Sequence, residues 1–144
     1  MSDRILAIDY GKKRVGIAWS DELKIIATPL NALDNDGLLV EKVEKLIKEN
    51  GIKRVIVGIP VRMGGAKSEL VKEIRNFVEN LRMKVPGTDF IFFDESYTSK
   101  EAERIFIEKY GKPAVRRKDK YLIDSYSAAL ILQQFLDSME NRYD

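Results

Sequence analysis

Three carboxylates concentrate the chemical content of this sequence. Asp9 follows the apolar run Ile5-Leu6-Ala7-Ile8, Glu95 follows Phe90-Ile91-Phe92-Phe93 and Asp94, and Asp124 lies near the start of a C-terminal amphipathic stretch. The chain contains no histidine and no cysteine, so the side chains that most often move protons or attack electrophiles near neutral pH are missing. Hydrolysis would have to use carboxylates, lysine, tyrosine or a metal-bound water. If the three acids converge, a site made of oxygen ligands suits hard divalent cations, Mg²⁺ or Mn²⁺. Two such ions roughly 3.5–4 Å apart can activate water and stabilise the leaving oxygen of a phosphodiester.

Each acid also has a plainer reading. Asp9 and the pair Asp94-Glu95 stand where strands end, and acids there are often solvated turn formers. Asp124 shares a helical stripe with Ala128, Ile131 and Phe135, which points it towards the face that should pack on a sheet. An ionised acid buried there without a partner costs several kcal/mol, so a salt bridge, a capping role or a metal is expected. Lys120, one turn earlier, is one available partner, and the first turns of a helix favour negative charge in any case.

Basic residues fall close to these acids. Lys12-Lys13-Arg14 comes directly after Asp9, and Lys112, Arg116, Arg117, Lys118 and Lys120 precede Asp124 with only Asp119 among them. The whole chain carries 25 basic and 23 acidic residues, a formal charge of +2, so any affinity for a polyanion must come from this local clustering. Alone, each stretch reads as a solvated charge run. Around a carboxylate cluster they read as phosphate contacts, which give affinity with little sequence information. No RNP-type aromatic signature, zinc finger or helix-turn-helix pattern accompanies them, so recognition should be of backbone shape. Tyr97, Tyr110 and Tyr121 could stack on bases, although tyrosines at such positions are more often core or rim residues.

The elements that must position these groups are readable in order. Ile5 to Ile8 is a short apolar run of the kind covered on both faces in a central strand. Val15, Ile17 and Trp19 alternate with Gly16, Ala18 and Ser20, and the short gap containing Gly11 favours an antiparallel hairpin. A third strand is expected from about Lys24 to Leu33, with Pro29 marking an edge or a bulge. Asp34-Asn35-Asp36-Gly37 supplies a turn and an N-cap, after which Leu39, Val43, Leu46 and Ile47 recur at helical spacing up to Asn50-Gly51, with Glu41 to Lys45 and Glu44 to Lys48 as surface pairs. Val55-Ile56-Val57 is a further buried strand. Leu70, Ile74, Phe77, Val78 and Leu81 mark a second helix that stops before Pro86-Gly87, and Phe90 to Phe93 is the fifth strand. Thr98 with Glu101 forms a capping box for a third helix to about Tyr110, and a last helix runs from about Lys120 to Met139. The order implies a single α/β domain over residues 1–144, with a mixed five-stranded sheet, the first three strands antiparallel and the rest parallel, and helices on both faces. Without cysteine, a leader or an apolar run long enough to cross a bilayer, the chain is expected in the cytoplasm, away from membranes.

Four ordered motifs tie these residues to a known family. Asp9-Tyr10-Gly11-Lys12-Lys13-Arg14-Val15-Gly16-Ile17-Ala18 with Ser20-Asp21 is the first, and Val57-Gly58-Ile59-Pro60 with Met63 and Gly65 the second. Asp94-Glu95 with Thr98 and Glu101 is the third, and Ile123-Asp124-Ser125 with Ala128-Ala129 and Ile131-Leu132-Gln133 the fourth. In this order, over nearly the whole chain, they resemble the YqgF family of pre-16S rRNA nucleases, or Holliday-junction resolvase-like proteins, of the ribonuclease H-like superfamily. The resemblance implies a ribonuclease H-like fold and Asp9, Glu95 and Asp124 as metal-binding catalytic acids. In the related junction resolvases the middle acid comes from the fourth strand, but here Gly58-Ile59-Pro60 offers none, and the resemblance implies Glu95 from the fifth strand as the substitute. Ser96 stands where the family commonly carries arginine, and Arg62 and Gly64 stand where it has Asn and Asp. Arg62 joins the basic residues expected to contact nucleic acid.

The leading expectation is a metal-dependent nuclease, holding two Mg²⁺ or Mn²⁺ ions, that trims the 5′ end of precursor 16S rRNA in ribosome biogenesis. Cleavage of branched DNA would use the same acids, and would be favoured by a homodimer over a monomer. A non-catalytic RNA-binding assembly factor on the same fold is the reading from another class. A phosphate loop of the actin-like ATPases is disfavoured, because 144 residues leave no room for a second lobe and the sequence has no G-x-x-x-x-G-K-[ST] loop.

Overall fold

Strand β1 (Ile5–Asp9) runs through the centre of a five-stranded sheet, the place its unbroken apolar run demands. The structure is a computed structural model that describes residues 3–60, 66–94, 104, 107, 108, 121 and 124–141. On one side of β1, β2 (Arg14–Ser20) and β3 (Ala27–Asp34) add as an antiparallel meander. On the other side, β4 (Arg54–Ile59) and β5 (Asp89–Asp94) add in parallel. The strand order is β3-β2-β1-β4-β5, the mixed sheet expected from the order of the elements.

Alternation along β1 divides the core in two. Leu6 and Ile8 face helices α1 (Leu39–Glu49) and α2 (Ala66–Lys84), where they meet Val43, Ile47, Ile74 and Leu81. Ile5 and Ala7 face helix α3 (Tyr126–Asn141) and meet Ala128, Ile131, Leu132 and Leu136. Each fully buried aliphatic side chain contributes about 1.5–3 kcal/mol, so the hydrophobic pattern holds helices on both faces. Among the described residues no helix is long and apolar enough to cross a membrane.

Pro29 lies in the edge strand β3, where its missing N–H costs no ladder bond, and the register of β2 against β3 shifts between Val15 and Ile17. Gln133 of α3 secures this edge. Its Oε1 accepts from the Ala27 N–H at 2.9 Å and its Nε2 donates to the Ile25 carbonyl at 2.9 Å.

Several boundaries differ from expectation. Asp34 ends β3 and does not cap α1; the cap position is Leu38, without a side-chain bond, and Asp36 Oδ1 instead accepts the Leu38 N–H at 2.9 Å in a local turn. Glu44 and Lys48 pair at 2.8 Å as expected, but Lys45 reaches forward to Glu49 at 3.7 Å and not back to Glu41. The last helix is interrupted: Tyr121 and Asp124 are helical, a turn at Ser125 follows, and α3 begins at Tyr126. Arg104, Ile107 and Glu108 are helical, within the span given to a third helix, while its capping box of Thr98 and Glu101 lies outside the described residues.

Candidate active site

Asp9 is the last residue of β1 and has the parity of Ile5 and Ala7, which puts it on the α3 side of the sheet. Directly across in β2 is Gly16. A Cβ on Gly16 would stand 2.4 Å from the Asp124 carbonyl oxygen and 3.2 Å from Ser125 Cα, so only a residue without a side chain lets this backbone settle onto the strand. Ser125 fastens it there. Fully buried, its Oγ accepts the Ile17 N–H at 2.9 Å, just where the β2–β3 register shifts. Asp9 and Asp124, 115 positions apart by number (124 − 9), therefore line one cleft of about 500 Å³ together with Lys12, Lys13 and Arg14.

The basic turn at the rim is built from both sides. The Tyr10 ring packs 5.3 Å from that of Phe77 in α2. Asn35 donates its Nδ2 to the Gly11 carbonyl at 2.7 Å and its backbone N–H to the Lys13 carbonyl at 3.0 Å. Lys12 and Lys13 remain exposed.

Arg14 behaves differently from its neighbours. Its Nε donates to Asp124 Oδ2 in an ion pair, and its guanidinium carbon lies 5.5 Å from the centre of the Tyr121 ring. Tyr121 in turn donates its hydroxyl to Asp34 Oδ1 at 3.0 Å. The hydrogen bond to Asp124 raises the Arg14 pKa further above its usual value, and the bond to Asp34 raises that of the Tyr121 phenol. Of the three fates open to Asp124, the structure displays the ion pair, with Arg14 from β2 as the partner. Its side chain keeps 34% of its exposure, more than the helical stripe implied, because it stands at the rim over Gly16 and not beneath the helix.

Glu95, Arg62, Arg116, Arg117, Lys118 and Lys120 lie outside the described residues. Asp94 has the parity of Phe90 and Phe92, whose contacts are on the α1 and α2 side, so it is turned away from the Asp9 face. Among the described residues no group of three acids, histidines or cysteines is close enough to hold a metal. The positioning roles of Gly16 and Ser125 were not anticipated. A glycine between two buried β-branched residues was the available signal, since it marks close backbone approach.

With this geometry in hand, comparison with known proteins decides the family. The family model described as "RuvX: Holliday junction resolvase" matches residues 3–138. The chain belongs to this family. A relative from Sulfurihydrogenibium sp. (strain YO3AOP1) is 39% identical over 137 residues, covering 94% of this chain and 91% of its own. One from Phocaeicola vulgatus is 41% identical over 135 residues, covering 94% and 96%. Both carry the name "Putative pre-16S rRNA nuclease". Among solved structures, Thermus thermophilus RuvC superposes with a TM-score of 0.65 at 14% identity over 95% of this chain and 96% of its own. The fowlpox virus Holliday junction resolvase gives 0.54 at 17% identity over 94% and 99%. These likenesses establish the ribonuclease H-like fold, and membership of the RuvX family places the chain among the nucleases.

Proposed function

We propose that this RuvX-family nuclease depends on a divalent metal and processes the 5′ end of precursor 16S rRNA in the cytoplasm, with Asp9, Glu95 and Asp124 as its catalytic acids. The observation that carries the reading is the meeting of Asp9 and Asp124 in one cleft, across a glycine that admits the second acid, beside the basic turn Lys12-Lys13. The donor chemistry fits Mg²⁺ or Mn²⁺, since both acids offer only carboxylate oxygens. Bound there, such ions would supply an activated water and charge stabilisation for the leaving oxygen. Asp9 and Asp124 would hold them, with Glu95 as the third ligand. Lys12 and Lys13 would bind flanking phosphates, together with Arg62, Arg116, Arg117, Lys118 and Lys120, and Arg14 would reach phosphate on leaving Asp124. The RNA substrate is supported by the names of relatives at 39% and 41% identity over 94% of the chain.

The test incubates the protein with labelled precursor rRNA, plain single-stranded RNA and a four-way DNA junction, each with Mg²⁺ or Mn²⁺, beside Asp9→Asn and Asp124→Asn. The expected result is metal-dependent cleavage of precursor rRNA that both variants lose. Identical products from the wild type and both variants would remove the site from the cleft. Preferential cutting of the junction would assign branched DNA as substrate, and binding without cleavage under any divalent ion would mark an assembly factor.

A further inference from the structure

Arg14 opens β2 directly after the two exposed cations of the turn, yet its guanidinium lies inside the cleft. Three elements hold it there: β2 carries it, Asp124 ahead of α3 accepts from its Nε, and Tyr121, itself bonded to Asp34 at the end of β3, sets its ring centre 5.5 Å from the guanidinium carbon. Among the described residues no acceptor engages its Nη atoms, and the residue lines the same cleft as Asp9.

We infer that Arg14 is an exchangeable counter-cation for Asp124, a positioning residue that balances this carboxylate in the empty protein and gives it up when a divalent ion and a phosphate enter together. The inference rests on the reading of Asp124 as a metal ligand. A guanidinium and a divalent ion on one carboxylate repel each other, so Arg14 and the ion compete for Asp124. The planar fork that leaves Asp124 matches a phosphate, whose two oxygens it can engage in parallel. The cleft thus avoids an unpaired acid at rest, and it binds metal weakly until a phosphodiester offers Arg14 another partner. The Tyr121 ring and Asp34 set how firmly the resting position is held.

The experiment measures Mn²⁺ binding by titration calorimetry on the full chain without nucleic acid, for the wild type, Arg14→Gln, Tyr121→Leu and Asp124→Asn. Arg14→Gln should bind Mn²⁺ at least roughly tenfold more tightly, the lower end of what a neighbouring unit charge does to a carboxylate's affinity for a proton. Tyr121→Leu should shift affinity the same way by less, which keeps the test decisive if Arg14→Gln does not fold. Melting supplies a second readout: the loss of Tm caused by Arg14→Gln in chelator should shrink in saturating Mn²⁺. Unchanged or weaker Mn²⁺ binding in both Arg14→Gln and Tyr121→Leu, with wild-type binding still abolished by Asp124→Asn, overturns the exchange and leaves the metal site standing. No Mn²⁺ binding by any form overturns both.

Discussion

Gly16 and Asp124 occupy adjoining space so tightly that a Cβ on the glycine would stand 2.4 Å from the Asp124 carbonyl oxygen. The obstacle is backbone, which cannot rotate away as a side chain can. Gly16→Ala should therefore lift the segment carrying Asp124 off β2, lower stability by about 1–3 kcal/mol and reduce cleavage more than the stability loss explains. Urea denaturation beside the cleavage assay checks this. Full activity with unchanged stability would show that the segment is not seated as described.

Ser125 tests the same seat from the other side. Its hydroxyl accepts the Ile17 N–H at 2.9 Å while fully buried, so Ser125→Ala leaves a buried donor without its acceptor. The expected cost is about 1–3 kcal/mol in the urea midpoint analysis, accompanied by faster hydrogen exchange at the Ile17 amide. A slow, unaltered amide would mean that another acceptor takes over.

Lys12 and Lys13 are exposed at the rim of the cleft, and replacing both with alanine should spare the fold. Affinity for RNA should fall at low salt. If each neutralises one phosphate, the slope of log affinity against log salt should become shallower by about 1.4 on single strands. Titrations across a range of salt concentrations measure it. An unchanged slope would remove the turn from the binding surface.

Acid should weaken the β2–β3 hairpin through Asp21. Burial pushes its carboxyl up, but the Ile26 and Ile25 amides, each 2.8 Å from Oδ1, outweigh this and hold its pKa below the ordinary 3.8. The folded value lies below the unfolded one, so the contribution is fully present above the unfolded pKa and is lost as pH falls through the folded one. Glu44, lowered by its hydrogen bond from Lys48, adds in the same sense. Asp21→Asn should flatten the acid side of the stability profile, and denaturation midpoints between about pH 6 and pH 2 provide the measurement. An unchanged acid slope would count against these bonds.

Much of the fold was legible because burial imposes a period. The continuous run Ile5 to Ile8 had to be a central strand, and the alternation from Val15 to Trp19 had to be its antiparallel neighbour. Asp9 could be placed at a strand end on the same grounds. The start of α1 was misread because Asp34 ends β3 and accepts the Tyr121 hydroxyl, while Asp36 turns its carboxylate to the Leu38 N–H, so neither acid caps the first turn. Asp124 was correctly singled out as needing a partner, but Lys120 was the partner suggested by proximity in the chain.

What the sequence by itself determined was the chemistry available: oxygen ligands only, two core faces of fixed parity, and four motifs that carry the resemblance to the YqgF family. What only the tertiary structure decided was which groups meet. Arg14 and Asp124 are separated by 110 positions, and no periodicity reports on a contact at that distance. Their pairing exists because Gly16 lets the segment ahead of α3 descend onto β2, and the absence of one side chain is felt only when two distant backbones are packed together.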